Sequence, residues 1–248
     1  MPGIDLAVVT AADGRDLLAA AQTDWARPVP HCPGWDAAAL VGHMGGILAW
    51  MGAVVSTGER VSRRETQAPP GDPATLATWY SAHLDRTLDI LTATPADSPA
   101  WTFSSLGDNR VSWWRRRLAV ELAIHRWDAQ HAAGTGGMAP RPADDAVAGA
   151  GIEEFLSEFL PGMLLAQPEA SGLAGVLRLQ GTDGPGDWWF DLSARTAVAA
   201  GTRPASADTT VRGTRSDVLL WLANRAPTPS IRVTGRPDVA GAWLQLCR

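Results

Sequence analysis

The most informative segment of this chain is Arg115-Arg116-Arg117-Leu118-Ala119-Val120-Glu121-Leu122-Ala123-Ile124-His125-Arg126-Trp127-Asp128. It contains no proline or glycine, and good helix formers fill it, so it predicts a helix. Glu121 and His125 are four residues apart and share one face of that helix with Leu118. Burying a carboxylate costs several kcal/mol unless it is compensated, and a divalent metal bound by both side chains would compensate it. The stretch therefore predicts a metal site on a buried helix face.

The composition is that of an ordinary globular protein. Of 248 residues, 46% are hydrophobic and 19% are charged, and the formal net charge is −5. This modest charge gives no reason to expect nucleic acid or an anionic membrane as a partner. No stretch approaches about 20 uninterrupted apolar residues, and the N-terminal segment lacks the basic region of a signal peptide. Cys32 and Cys247 are too few for a disulfide framework, so we expect a reduced, cytoplasmic setting.

Hydrophobic periodicity divides the chain into a helical part and a mixed part. Helices are predicted over residues 4–21, 36–55, 73–92, 111–133 and 144–165. Strands of an antiparallel sheet are predicted at 176–180, 188–192, 196–200, 209–213 and 231–234. Two further helices are expected at 216–224 and 237–246. The prediction is an α+β fold, with a four-helix bundle over 1–165 and a small α/β domain over 166–248.

Three residues on buried helix faces form the candidate site. His43 falls between Leu40 and Ile47 on the apolar face of the 36–55 helix, and Glu121 and His125 point inward from the 111–133 helix. Three protein ligands leave a coordination position free, which is the arrangement of a catalytic zinc. The spacing Glu-x-x-x-His differs from the His-Glu-x-x-His of zinc proteases, so peptide hydrolysis is not predicted.

Each of these residues also has an ordinary explanation. A lone histidine on an apolar helix face is more often a hydrogen-bonded core residue, and a Glu/His pair one turn apart often forms only a local contact. His31 and Cys32 lie in a loop and are either additional ligands or uninvolved. His83 and His131 fit surface or core-edge positions better. Asp128, one turn beyond the histidine of the pair, either orients that imidazole or faces solvent.

Two signatures resemble a known family. Cys32-Pro33-Gly34-Trp35-Asp36 and Leu40-Val41-Gly42-His43-Met44 resemble the opening signature of mycothiol-dependent maleylpyruvate isomerase-like proteins, a branch of the DinB-like helix bundles; residues 121–128 resemble their second signature. Residues 211–235 are similar to part of their C-terminal domain, a sterol-carrier-like layer. The resemblance implies that His43, Glu121 and His125 bind a divalent metal, usually Zn²⁺. It also implies mycothiol, the low-molecular-weight thiol of actinobacteria, as cosubstrate.

The same resemblance implies thiol chemistry on an electrophilic small molecule. The outcome is either cis–trans isomerisation, with the thiol added and then eliminated, or S-transfer, in which the sulfur stays on the electrophile. An arginine near the C-terminus serves the substrate carboxylate in maleylpyruvate isomerases, and Arg225 is the nearest positional match, with Arg212 and Arg232 as rivals. Here Asn224 stands where the usual tail has glycine. Arg225 and Asp128 are thus the catalytic candidates.

A second arginine is the candidate for binding the cosubstrate. Arg126 follows His125 directly and offers a fork that matches a carboxylate. For both Arg126 and Arg225, a surface ion pair is the alternative role.

Two other functions remain open at the level of sequence. In a non-catalytic binding module, Trp188, Trp189, Trp221 and Trp243 would line an apolar ligand pocket and any metal would be structural; as core residues, the tryptophans need no ligand. A transcription-linked thiol sensor is the third possibility, but the chain offers no basic DNA-binding stripe. The expected partners are a thiol and a small electrophile, with the protein a monomer or a homodimer.

Overall fold

A computed structural model describes residues 6–134, 139–166, 174–225, 230–236 and 238–239. By its internal contacts the chain forms two compact units, Met1–Ala143 and Asp144–Arg248. The boundary therefore lies earlier than the one predicted after residue 165. The reason is that the helix following Asp144 packs against a helix of the second unit.

Four helices make up the first unit: α1 (Leu6–Ala21), α2 (Ala37–Thr57), α3 (Pro73–Ala93) and α4 (Val111–Ala133). Helix α1 packs on α4, and α2 packs on α3 and α4, which forms the four-helix bundle expected from the sequence. Asp36 caps α2 by accepting a hydrogen bond from the Ala39 N–H, and Gly58 ends it with a left-handed φ of 73°. These caps set the length of the helix that carries His43.

The apolar face predicted for α2 is buried in the bundle core. Its members are Leu40, Met44, Ile47, Leu48, Met51, Val54 and Val55. Burial of each such side chain contributes roughly 1.5–3 kcal/mol. At Gly45 the helix approaches α3 so closely that an added Cβ would lie 2.1 Å from Cζ3 of Trp79. Glycine is therefore required there, because the Trp79 ring occupies the space of a side chain.

Helix α2 is also the one described helix that is long and apolar enough to cross a membrane by length and composition. Within its most apolar window, 67% of the residues are buried inside the protein. The core helix of a bundle passes the same test because it is covered by neighbouring helices on several sides, and the burial of α2 fits that explanation.

The second unit begins with α5 (Asp145–Glu154), a π-helical turn (Phe155–Phe159) and α6 (Leu160–Ala166). Together they correspond to the single helix predicted over 144–165. The π turn ends two residues before Pro161, which lacks an N–H for the regular helical hydrogen bond. Helix α5 packs against α7 (Arg215–Leu222), whose N-cap Thr214 accepts a hydrogen bond from the Asp217 N–H.

A five-stranded sheet of order β3-β2-β1-β4-β5 completes this unit. The strands are β1 (Val176–Gly181), β2 (Asp187–Asp191), β3 (Thr196–Ala197), β4 (Thr209–Gly213) and β5 (Arg232–Gly235). The predicted antiparallel sheet is in fact mixed, because β1 and β4 are parallel, with Leu179 opposite Val211. Alternating hydrophobicity identifies a strand without giving its direction. The α+β class is confirmed, whereas the helix predicted at 237–246 lies outside the described residues apart from 238–239.

Candidate metal centre

Helices α2 and α4 bring the three predicted ligands to one place. The ring centroids of His43, on α2, and His125, on α4, are 5.4 Å apart and nearly perpendicular. On α4, the Glu121 Oε2 atom lies 3.4 Å from His125 Nε2. His125 is buried, and His43 and Glu121 are half-buried. The helical spacing seen in the sequence thus becomes a compact group of donors.

These distances fit a divalent ion. Two imidazoles bound to one tetrahedral zinc have ring centroids about 5 Å apart, and a nitrogen and an oxygen ligand are separated by roughly 3.3 Å. The Glu121–His125 separation matches the second value and is long for a hydrogen bond between these groups. Imidazole nitrogen and carboxylate oxygen are also the donor types that zinc accepts.

A hydrogen-bonded chain supports His125 from its other ring nitrogen. His125 Nδ1 lies 2.9 Å from Asp128 Oδ2, and the Cys32 thiol donates to the same oxygen over 3.6 Å. Asp128 is fully buried. A carboxylate on Nδ1 fixes the ring orientation and leaves Nε2 as the donor for a metal, which is the usual arrangement behind metal-bound histidines.

Cys32, His125 and Asp128 also form a donor group of their own. One ligand atom from each lies within 4.8 Å of the other two, and all three residues are buried. The 2.9 Å separation of His125 Nδ1 and Asp128 Oδ2 is a hydrogen-bond distance, shorter than the separation of two ligands around one ion. The group is therefore better described as the support of His125 than as a second coordination site.

The charges of the site are set by burial and by Arg117. Burial lowers the pKa of His43 to about 4, and the nearby positive charges of His125 and Arg63 act in the same direction. His43 is therefore neutral near pH 7 and keeps a lone pair for a ligand. Although burial opposes ionisation of Glu121, the Arg117 guanidinium and His125 hold its pKa well below the usual range. Arg117 binds the Glu121 Oε1 atom, opposite the oxygen that faces His125.

His125 has the opposite behaviour. Burial alone would lower its pKa, but the close contacts with Asp128, Cys32 and Glu121 raise the pKa well above the ordinary value. These contacts favour the protonated form of His125, and a cation binding at Nε2 would displace that proton.

A cavity of about 810 Å³ opens beside this group. Trp35 and His43 form one wall, and the segment between α2 and α3, including Arg63 and Arg64, forms another. The Trp35 ring lies 4.6 Å from the His43 ring and 6.4 Å from the His125 ring, centroid to centroid. His43 therefore connects the donor group to a space large enough for a small-molecule ligand.

Arg126 lies in a different environment from the one expected. It is fully buried, with Nε 2.9 Å from Asp13 Oδ1 of α1, and it donates to the carbonyl oxygens of Arg141 at 2.5 Å and Pro142 at 3.0 Å. It does not line the cavity. We therefore withdraw Arg126 as a cosubstrate contact, because its guanidinium already joins α1, α4 and the segment after α4.

Arg225 belongs to the second unit, just beyond α7. Its N–H donates to the Leu220 carbonyl at 2.7 Å, and its Nη1 donates to the Ala223 carbonyl at 2.6 Å. The rival arginines, Arg212 on β4 and Arg232 on β5, are exposed. A role for Arg225 in catalysis stays a prediction, as do the roles assigned to Asp128 and to the three metal ligands.

The remaining histidines make aromatic contacts outside the cavity lining. His31 packs against Trp127 and His131, with centroid separations of 5.3 and 5.1 Å. His83 packs on the edge of Trp79 at 4.8 Å. None of the three histidines lines the cavity beside His43.

Sequence reasoning did not assign a role to two residues at this site. Arg117 precedes Glu121 by four residues, and that helical spacing could have indicated the ion pair. Arg63 lies in a short 3₁₀ turn between α2 and α3 and gave no such signal, because its position beside His43 depends on how the loop packs.

Comparisons with known proteins identify the family of the helix bundle and structures of the same fold. The family model of the mycothiol maleylpyruvate isomerase N-terminal domain matches residues 9–130, which include all three predicted ligands. The chain is similar in structure to a histidine-to-alanine mutant of the mycothiol-dependent maleylpyruvate isomerase, with a TM-score of 0.64 and 12% identity over 94% of this chain and 93% of that one. A second crystal structure of the mycothiol-dependent maleylpyruvate isomerase gives a TM-score of 0.59 and 16% identity over the same shares of the two chains. No match was found among curated proteins.

At these identities the structural likeness shows the fold alone, and it extends over nearly the whole chain. The family match covers the helix bundle that carries His43, Glu121 and His125. Residues 9–130 therefore belong to the mycothiol maleylpyruvate isomerase N-terminal domain family.

Proposed function

We propose that this protein is a divalent-metal-dependent enzyme, with zinc the expected ion, in which mycothiol attacks an electrophilic small molecule. The reaction is either a maleylpyruvate isomerase-like cis–trans isomerisation or a thiol S-transfer. The observation that carries the proposal is the meeting of His43, Glu121 and His125 beside a ligand-sized cavity. Family membership and the shared fold support the choice of mycothiol and of this reaction class.

His43, Glu121 and His125 would hold the metal. When bound, a divalent metal lowers the pKa of a coordinating thiol and positions its sulfur. A free thiol with a pKa near 8.5 is only a few per cent ionised at neutral pH, so complete ionisation gains about tenfold or a little more. Orientation in the cavity must supply the rest of the acceleration.

The protein's own residues prepare this chemistry. Asp128 holds the Nδ1 proton of His125 and so directs Nε2 toward Glu121. Arg117 holds one oxygen of Glu121 and leaves the other facing His125. The Trp35 ring packs near both imidazoles, 4.6 Å from His43 and 6.4 Å from His125 between centroids. In the isomerase outcome, the sulfur adds to the cis double bond, the resulting single bond rotates, and elimination returns the thiol and the trans product.

Metal analysis of single variants tests the ligand assignment. The purified protein is expected to carry about one equivalent of metal, and His43→Ala, Glu121→Ala and His125→Ala are each expected to lose most of it. Thr78→Ala, on the exposed face of α3, is a suitable control because Thr78 makes only a local helix contact. If all three ligand variants keep stoichiometric metal, the assignment is wrong.

Incubation with mycothiol and a panel of electrophiles then tests the reaction. Isomerised product with unchanged free thiol identifies an isomerase, whereas an adduct with loss of free thiol identifies a transferase. Metal bound at the predicted ligands without turnover of any electrophile would favour a binding protein and contradict the enzymatic proposal.

A further inference from the structure

The cavity beside His43 has a positive lining in an acidic protein. The chain carries a formal net charge of −5, yet Arg63 and Arg64 line this cavity, and its described lining contains no aspartate or glutamate. The remaining lining is largely apolar and includes Trp35, Ile47 and Leu76. A cavity with cationic groups on one side and apolar surface around them suits a small organic anion.

Arg63 is held in place by a tryptophan. Its guanidinium carbon lies 4.5 Å from the centroid of the Trp50 ring, in a cation–π contact. Trp50 is itself 6% exposed, and its indole N–H donates to the Val61 carbonyl at 2.8 Å. Ser62 caps the 3₁₀ turn that carries Arg63 (Arg63–Glu65), and its hydroxyl oxygen accepts a hydrogen bond from the Arg64 N–H. Arg63 itself is exposed, and the buried Trp50 ring gives its guanidinium a fixed surface on which to stack.

The edge of this guanidinium is available to a ligand. Within the described parts of the chain, the structure gives no carboxylate within ion-pair distance of Arg63 or Arg64. Glu65 is close in sequence and lines a neighbouring depression with Arg63 and Trp50, not the cavity beside His43. Arg63 and His43 line the same cavity. An anion between the two would therefore lie next to the reacting centre.

We propose that Arg63, seated on Trp50 and flanked by Arg64, is the anion-recognition element of this cavity, and that its ligand is a small molecule bearing a carboxylate. A guanidinium stacked on an aromatic face still presents its planar edge, which matches the two oxygens of a carboxylate. The apolar wall then accommodates the carbon skeleton. The proposal deepens the proposed function by naming a residue that selects the electrophile, and it rests on that function only for the position of the reacting atoms.

Binding measurements on the purified protein with its metal test this subsite. Titration calorimetry measures the binding of three probes, which are maleate, its neutral dimethyl ester and inorganic phosphate. Arg63→Gln is expected to weaken maleate binding about tenfold to a hundredfold, because a hydrogen bond to a charged group is lost. Arg63→Lys should retain part of the affinity, because it keeps the charge without the fork. Neither variant should change binding of the dimethyl ester or the metal content.

Arg60→Gln is the matched control. Arg60 is also stacked on a tryptophan, 5.4 Å from the Trp101 centroid, but it is absent from the cavity lining beside His43. It should leave maleate affinity within about twofold of the original value. Equal effects of Arg60→Gln and Arg63→Gln, failure of maleate to bind, or tighter binding of phosphate than of maleate would each overturn the proposal.

The outcomes also separate this subsite from the enzymatic function. Arg63-dependent maleate binding without any thiol reaction would support the subsite and contradict the proposed enzyme. A thiol reaction on maleate that is unchanged by Arg63→Gln would support the proposed enzyme and contradict the subsite.

Discussion

Replacing Asp128 by asparagine tests the proposed support of His125 most directly. The fully buried Asp128 carboxylate lies 2.9 Å from His125 Nδ1 and also accepts the Cys32 thiol. Asparagine keeps the size of the side chain and one oxygen, but it removes the negative charge that orients the imidazole and strengthens Nε2 as a donor. The change should therefore weaken metal binding without creating a cavity in the core.

The expected loss can be bounded from the geometry. Removing the partner of a metal-bound histidine typically lowers metal affinity about 10- to 100-fold, which corresponds to roughly 1.4–2.7 kcal/mol. The effect should fall within this range because His125 has one such partner at short distance and the carboxylate is shielded from water. Losing a direct ligand, as in Glu121→Ala, should cost more.

Competition for Zn²⁺ against a chromophoric chelator, near neutral pH, measures these affinities. Asp85→Asn is the matched control, since it removes the same charge from an exposed position on α3 where Asp85 lies 3.5 Å from Arg15. Cys32→Ser tests the alternative donor group, because a hydroxyl keeps the hydrogen bond to Asp128 and is a poor substitute for a thiolate ligand. An Asp128→Asn affinity equal to that of the Asp85 control would refute the reasoning. A large loss of Zn²⁺ affinity in the Cys32→Ser variant would show that the thiol itself binds the metal.

Three further predictions concern packing, protons and charge. Gly45→Ala should destabilise the protein by about 1–3 kcal/mol, because the new Cβ collides with Trp79. Gly46→Ala, where nothing lies within 4 Å of the new Cβ, should instead stabilise it by roughly 0.4–1 kcal/mol, and urea unfolding compares the two. Zn²⁺ affinity should rise with pH from neutral up to the raised pKa of His125, since binding displaces its proton; an affinity independent of pH, with no proton release in calorimetry, would contradict this. Arg126→Met should lower the free energy of unfolding by about 3–5 kcal/mol without changing Zn²⁺ affinity, because it leaves a buried carboxylate unpaired.

Much of the helical unit could be predicted because local pattern and tertiary environment agree there. The four helices lie within a few residues of their predicted bounds, and the apolar face of α2 is the buried one. The sheet was less predictable. Its five strands are near their predicted places, but the parallel pairing of β1 with β4 joins segments that are distant in sequence. Hydrophobic alternation carries no information on which distant segment becomes the neighbour.

The candidate site divides in the same way. Glu121, His125 and Asp128 lie on one helix, so the 3.6-residue period alone predicts their proximity. The approach of His43 and Cys32 to them depends on the packing of α2 and of the loop before it. Arg126 shows the limit of local reasoning. Its place next to His125 in sequence suggested a role at the site, yet one helical step of about 100° directs it to Asp13 on α1 instead.

The sequence alone predicted the α+β class, the helix that carries Glu121 and His125, and the candidate metal ligands. It did so because helical periodicity and side-chain chemistry are local properties. The approach of His43 and Cys32 to His125, and the position of Arg63 on Trp50 at the edge of the cavity, depend on the tertiary structure. Most of these contacts join elements far apart in the chain, and their energies come from packing and burial, which no single segment encodes.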